Sequence, residues 1–596
     1  MRRPNVSRNL IHRKPYLLWF ALCVLMLLPA RADAQRIRPD SLRATRIQAV
    51  HRDGQTFISW FDADTANVRG YRILRHSEPI TDENVARADV IADSVCVGTG
   101  LDYIHQAIFK QPRGFVITDL GGPLLPGQGL YVHTVRRNRS SCYAVVSLGP
   151  DGRPVSGFVP AENSLKAPVS ESLALPQPVL IERLRSEAGV ADVYTHWVDE
   201  DMHPREGMAY RFAVTVSHNH RPETRHPLHL RLHGAGGWYG TMHIAGDDWV
   251  VLYPDMRTVT YRSEIAPDWN GNGSNFWYGL NSHFYDRKNP FGGVNVNYDE
   301  RRVLWTLRWV MARYNVDPDR VHVSGGSMGG YATLNLALRH PELFASASAW
   351  VPPVDFHRMS DYGNRIALAH WGPREANILT NEGVGIYDRA DLVAFVRAHP
   401  EADFPVILML TGKQDQLITW KGPRLFYDAM QETRHALLAV WSEGGHAGPK
   451  GSLFGVPEVY HELDLRHLRR NESYPALSFA STNDEPGATS KEGAPRGQLN
   501  AMFEWKDIVD RPNEYGVTLA PLNGRQIEAT ADVTLRRLQG FRVDRDARYT
   551  FRNVALSSGK AVQEGVLKPD SYGLLTVHRF IISGGGNRLL LSRVIQ

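Results

Sequence analysis

One segment constrains this chain more than any other: Val321-His322-Val323-Ser324-Gly325-Gly326-Ser327-Met328-Gly329-Gly330. Its opening residues read as a buried strand, and Tyr331 to Arg339 read as a helix. Between them stands Gly-x-Ser-x-Gly, as Gly325, Ser327 and Gly329. A strand that turns at once into a helix passes through a sharp, strained corner. Side chains flanking that corner would collide with neighbouring elements, and glycine relieves the crowding. The residue at the tip is pushed out beyond the sheet, where a serine hydroxyl meets a substrate. Ser327 is therefore the candidate nucleophile, with a sheet behind it and a helix in front.

A serine hydroxyl is a weak nucleophile until a base takes its proton. In this strand–turn–helix context the acid and then the base follow the serine along the chain. Pro405 to Leu410 reads as a buried strand, followed by Thr411-Gly412-Lys413-Gln414-Asp415. Asp415 thus falls at a strand's C-terminal edge, where ligand sites of parallel sheets lie. Ala439 to Trp441 reads as the end of the next strand, and Ser442-Glu443-Gly444-Gly445-His446 places His446 on a glycine-rich loop. There are 24 histidines, so position does the selecting, and His435 lies before its strand, at the wrong end. Asp391, Glu401 and Asp403 also precede their strand. Acyl transfer further needs N–H donors for an oxyanion. His233-Gly234-Ala235-Gly236-Gly237 follows a strand ending at Leu232. The N–H of Ala235, helped by Gly236, is expected as one donor and that of Met328 as the other.

Around these motifs, residues from about 170 to 470 alternate strand and helix. That pattern predicts an α/β core, a mostly parallel, doubly wound sheet with helices on both faces. Before it, Thr56 to Trp60, Gly70 to Arg75 and Cys142 to Ser147 read as strands of a β-sandwich. After it, residues 482–497 are poor in apolar side chains and rich in chain breakers, and read as a linker or a long loop. Strand patterns return at Val517, Ala531, Tyr549, Leu574 and Leu589 and predict a small C-terminal β-domain. The expected domains are 1–34, 35–168, 169–472 and 473–596.

The motifs HGAGG, SGGSMGGYATLNLALRHPELF, TGKQDQLITW and EGGHAG resemble those of α/β-hydrolases. Within that fold they are similar to secreted feruloyl and acetyl-xylan esterases and polyhydroxybutyrate-depolymerase-like enzymes. They are also similar to the catalytic domain of prolyl-oligopeptidase-type peptidases. The region before the hydrolase is too short for that type's N-terminal propeller. Its strand residues Trp60 and Tyr71 and its late YAVVSLGPDG strand and turn resemble a fibronectin type III domain. The resemblance implies a Ser-His-Asp triad and an acyl-enzyme. Its expected substrates are acyl or feruloyl esters of a polysaccharide or small esters, with a peptidase as the second reading and a non-catalytic binding protein as the third. No cofactor is expected.

Several features bear on substrate and location. Residues 268–298 are crowded with aromatics and amides, and Trp269, Trp277 and Tyr278 are candidate contacts for a sugar or phenolic ring. Asp268-x-Asn270-x-Asn272-Gly273 begins like a calcium loop, but Gly279 stands where such a loop ends in Glu, and no metal is expected. Residues 356–398 form a second insertion, with Trp371 and Tyr387. The net charge of +5 is concentrated in residues 1–34, which hold six basic residues against Asp33, so the remainder is balanced. That excludes the electrostatic footprint of a nucleic-acid binder. Arg13-Lys14, an apolar run from Tyr16 to Leu28 and Ala32-Asp33-Ala34 read as a secretory signal cleaved near Ala34-Gln35. The chain is then expected to be secreted or periplasmic, with no stable membrane span, and with terminal β-domains available to bind carbohydrate or a surface. Cys96 and Cys142 would remain, an even count compatible with one disulfide.

Overall fold

The computed structural model describes residues 39–594, apart from residues 65, 244–247, 257–274, 287 and 447–450. The expected signal segment, Trp269 and the calcium-like start at Asp268 lie outside the described residues.

A ten-stranded mixed sheet forms the centre. Its strands are β1 (Val179–Ser186), β2 (Gly189–Val198), β3 (Met208–Ser217), β4 (His226–Leu232), β5 (Val250–Pro254), β6 (Val316–Gly326), β7 (Ser346–Trp350), β8 (Val406–Gly412), β9 (Leu437–Ser442) and β10 (Gly497–Leu499). Their spatial order is β10-β9-β8-β7-β6-β4-β5-β3-β2-β1. The strands from β9 across to β5 pair in parallel. Antiparallel β3, β2 and β1 extend one edge, and antiparallel β10 closes the other. This is an α/β core built on a large mixed sheet.

The sheet positions the site through its winding. From β4 the chain moves outward to β5, whereas from β6 it moves the other way to β7. Between β4 and β6 the winding reverses, which opens a crevice at the strands' C-terminal ends. The loop at 233–237 leaves β4 there, and Ser327 leaves β6 beside it.

The two faces of the sheet are covered differently, and here the expectation of helices on both faces is corrected. Helices α1 (Tyr298–Arg313), α2 (Met328–Arg339) and α3 (Lys421–Glu432) share one core with Val321, Val323, Ile407, Met409, Leu437 and Ala439. The alternate residues Val406, Leu408, Leu410, Leu438 and Val440 point the other way and meet Val459, Leu465, Leu468 and Tyr474. At the β1–β3 end that second face meets Phe57, Ile104, Phe115 and Leu130 from the N-terminal region. Among the described residues it is closed by the terminal β-regions and a short segment, not by long helices.

The N-terminal region folds as two antiparallel sheets. One holds Thr45–Arg52, Gln55–Phe61 and Gln128–Thr134; the other holds Gly70–His76, Asp89–Cys96, Arg139–Leu148 and Val169–Glu171. Ile58, Trp60, Tyr71, Ile73, Tyr143 and Val145 fill the space between them. Cys96 pairs across from Gly70 and Cys142 across from His76, at opposite ends of one strand. At about 3.3 Å per residue that separation excludes the disulfide allowed by the sequence.

The C-terminal region, from Tyr474 to Arg593, forms a three-stranded and a five-stranded antiparallel sheet around Tyr515, Val517, Leu519, Val533, Phe580 and Leu589. Of the two readings of residues 482–497, the structure shows the long loop, tied to the core rather than free. These residues run along the central sheet, and the chain continues as β10, which pairs with β9 through Ala439 and Leu499.

Candidate active site

Ser327 sits at φ 56° and ψ −119°, a left-handed conformation that costs a non-glycine residue energy. The glycines around it are required by contact. A Cβ on Gly329 would lie 2.1 Å from the carbonyl oxygen of Leu232, and one on Gly325 would lie 2.5 Å from that of Gly329. The corner is pinned where the Ser327 N–H donates to the carbonyl of Trp350 on β7, at 2.7 Å.

Three residues from three separate loops converge. Ser327 Oγ lies 2.8 Å from His446 Nε2, and His446 Nδ1 lies 2.7 Å from Asp415 Oδ2. With the proton on Nδ1, His446 donates to Asp415 and accepts from Ser327. The other Asp415 oxygen accepts from the N–H groups of Leu417, at 2.8 Å, and Ile418, at 2.9 Å. Both carboxylate oxygens are thus fixed, and the carboxylate is buried. The loops that carry Asp415 and His446 are also joined through backbone. Lys413 N–H donates to Ser442 O at 3.0 Å, and Gln414 N–H to Gly444 O at 2.9 Å. Such an arrangement can move a proton from a serine hydroxyl to an imidazole whose tautomer is set by a carboxylate.

The loop after β4 runs against this corner. A Cβ on Gly234 would lie 3.2 Å from Gly326 O and 3.6 Å from the Ser327 Cβ. The loop turns tightly, with Gly237 N–H donating to Gly234 O at 3.0 Å and Gly236 at φ +78°. Ala235 and Gly236, at the tip of this loop, are exposed. Met328 begins α2, where N–H groups lack an intrahelical acceptor and the helix dipole favours negative charge.

Two of the proposed substrate contacts are corrected. Trp277 and Tyr278 are 2% and 0% exposed, so neither offers a ring to the crevice. Trp277 instead supports the loop after β4: its Nε1–H donates to His233 O at 3.1 Å, and its ring centroid lies 4.7 Å from that of His233. Tyr278 packs against Trp371, with Arg389 4.9 Å from its ring centre. Trp371 and Tyr387 are likewise fully buried. Among the described residues, no group of three or more His, Cys, Asp and Glu side chains could hold a metal ion.

Sequence reading passed over two contributors. Trp350 O holds the nucleophile's backbone, and carbonyl acceptors leave no trace in residue type. The signal for Lys413 is a lone cation just past the apolar run Pro405–Leu410, after Thr411 and Gly412.

Residues 299–463, which contain Ser327, Asp415 and His446, match the prolyl oligopeptidase family. The matched segment is that of a serine hydrolase. The chain also resembles S-formylglutathione hydrolase of Mus musculus, at 26% identity over 174 residues, 26% of this chain and 54% of that protein. The Bos taurus enzyme is 26% identical over 166 residues, again covering 54% of its length. The chain thus spans about half the length of the curated relatives it matches. Among solved structures, S-formylglutathione hydrolase from Agrobacterium tumefaciens aligns at 21% identity and TM-score 0.34, over 44% of this chain and 89% of that one. A ferulic acid esterase aligns at 17% identity and TM-score 0.30, over 44% and 92%.

Proposed function

We propose that this chain is a secreted or periplasmic serine hydrolase of carboxylic esters. The observation that carries the reading is the continuous hydrogen-bonded line from Ser327 Oγ through His446 to Asp415. Ser327 Oγ attacks the ester carbonyl carbon as its proton passes to His446 Nε2, and Asp415 stabilises the resulting imidazolium. The negative charge on the carbonyl oxygen is met by the N–H groups of Ala235 and Met328. His446 returns the proton to the departing alcohol, which leaves an acyl group on Ser327. Water, deprotonated by the same histidine, then attacks the acyl carbon; the acyl–Oγ bond breaks as His446 returns that proton to Ser327, and the acid is released.

Within this reading the substrates are acyl or feruloyl esters of a polysaccharide or similar polymer. The signal-like start at 1–34 and the β-regions at both ends support an enzyme working outside the cytoplasm close to such a polymer. Residues 35–168 are read as a fibronectin type III-like module and 473–596 as a C-terminal β-domain, each able to add carbohydrate or surface contacts. A serine peptidase with the same triad is the second reading, favoured by the family match over residues 299–463. The N-terminal region argues for esters, because two packed sheets stand where that peptidase type carries a propeller.

The test is hydrolysis of p-nitrophenyl acetate, p-nitrophenyl butyrate and methyl ferulate beside a peptide p-nitroanilide, with Ser327→Ala as control. Ester turnover lost in the variant, with the anilide untouched, is the expected result. Anilide cleavage at comparable kcat/KM moves the assignment to a peptidase. Turnover of all substrates independent of Ser327 overturns both readings.

A further inference from the structure

Among the buried cations that the catalytic scheme does not use, Lys413 stands nearest in sequence to Asp415. Lys413 is only 2% exposed and stands two residues before Asp415. Burying an ammonium is costly unless each of its donors finds a partner. Here all three do. Lys413 Nζ donates to the backbone carbonyls of Pro486 at 2.5 Å, Glu492 at 2.6 Å and Ala494 at 3.2 Å. It also lies 4.6 Å from the centre of the Trp420 ring. Burial pulls its pKa down, while the charges of Glu485 and Glu492 oppose that shift.

All three carbonyls belong to the segment that the sequence presents as a linker or a long loop. That strap is tied down on both sides of the lysine. Trp420 Nε1–H donates to Gly487 O at 3.1 Å, and Trp441 Nε1–H donates to Ala494 O at 3.0 Å. Trp420 ends the acid loop, directly before α3, and Trp441 lies on β9, just ahead of the base loop. The strap then becomes β10, paired to β9 from Trp441 opposite Gly497 to Ala439 opposite Leu499. The C-terminal region thus reaches back and clasps the roots of both loops that deliver the acid and the base.

We propose that Lys413 is a positioning residue that locks this strap to the acid loop and so holds Asp415, and through the paired backbone His446, in register with Ser327. The inference rests on the triad reading above. Its physical basis is the steepness of proton transfer with distance: a displacement of about 1 Å in a catalytic group costs on the order of a hundredfold in rate. Gly412 enters the acid loop, and a Cβ there would lie 2.7 Å from Gly444 O, so the two loops are in backbone contact and move together. The C-terminal region on this view is part of the active site's support, not a detachable module.

The experiment measures kcat and KM separately on p-nitrophenyl butyrate with the full chain, beside thermal melting and the rate of Ser327 labelling by a fluorophosphonate. Lys413→Met keeps the aliphatic stem and removes the ammonium. It is expected to lower kcat by roughly ten- to a hundredfold with KM unchanged, and to slow labelling in parallel. Lys413→Arg, which keeps a charge and several donors, is expected to recover most of the loss. Gly493→Ala displaces the strap without altering either loop, because Gly493 is at φ +66° and a Cβ there would lie 2.3 Å from Glu485 O. It is expected to reproduce the fall in kcat and serves if Lys413→Met does not fold. Variants that keep kcat within about twofold, or lose it only in proportion to the folded fraction, overturn the positioning role. Turnover that survives Ser327→Ala would instead sink the triad reading itself.

Discussion

The N-terminal sandwich and the C-terminal β-region both close the face of the central sheet that long helices leave uncovered, yet they meet the active site in different ways. The N-terminal region grips the chain just beyond the loop after β4. Asp102 forms a buried ion pair with Arg211 on β3, and Phe109 packs edge-on to Trp238, with ring centres 6.0 Å apart. What it steadies is the Gly234–Gly237 turn, proposed above to supply backbone N–H donors, which ends directly before Trp238. The C-terminal region grips the acid loop at Lys413, two residues from the Asp415 side chain. Backbone donors are aimed by the local turn, so they tolerate a distant support. A carboxylate and an imidazole must be aimed by whatever holds their loops, and here that is a strap from elsewhere in the chain.

The largest expected effect lies on the acid side. Asp415→Asn keeps the shape and the acceptors for Leu417 and Ile418 N–H, but it removes the charge that sets the His446 tautomer. A fall in kcat on the order of 10⁴-fold is expected, with melting temperature nearly unchanged. Steady-state kinetics on a p-nitrophenyl ester measures it. A loss below about tenfold would mean that the carboxylate is not the orienting group, and the two sides of the site would no longer differ in kind.

Next comes the N-terminal grip. Asp102 and Arg211 are both almost fully buried, and Asp102 also accepts from His105 N–H at the start of a short helix. Asp102→Asn leaves Arg211 as an uncompensated buried charge. Breaking such a pair typically costs about 3–5 kcal/mol, which a denaturant titration reads as a lower midpoint. The kcat of the folded enzyme is expected to stay within about threefold, because the donors of the oxyanion turn are set locally. A kcat loss as deep as that of Lys413→Met would show both ends of the chain positioning catalytic groups alike, and the contrast would fail.

The sequence made the two sides of the site unequally legible. Ser327, Asp415 and His446 stand out in the sequence because the chemistry expects them in that order and because each follows an apolar strand with a glycine-bearing turn, and the structure brings the three side chains within hydrogen-bond distance. The strap could not, since its function runs through carbonyls, which every residue carries. Its Pro-, Gly- and Glu-rich composition reads as solvated chain only when the lysine that organises it is unseen. Trp277 and Tyr278 were misplaced for a related reason: an aromatic ring serves a core as readily as a binding wall, and composition does not say which way it faces. The swap of β4 and β5 and the uncovered second face of the sheet depend on long-range packing. His322 and Ser324 alternate with Val321 and Val323 along β6 and mark that face as unusually polar, a pattern visible in hindsight within the very motif that identified the nucleophile.

The smallest effect sharpens the comparison at the oxyanion turn itself. Gly236 stands at φ +78° with open space where a Cβ would go, so Gly236→Ala meets backbone strain and no steric clash. That strain is worth about 1 kcal/mol and can be relieved by a slight rotation of the Ala235–Gly236 peptide. If the Ala235 N–H is an oxyanion donor, the rotation turns it away from the developing charge, and kcat falls by roughly five- to tenfold while KM and stability barely move. If the loss appears in melting temperature and not in kcat, the turn is only a structural corner and the donor must be sought in another N–H of the same loop. The size of this effect against that of Lys413→Met measures how far catalysis here depends on local turn geometry and how far on support from a remote part of the chain.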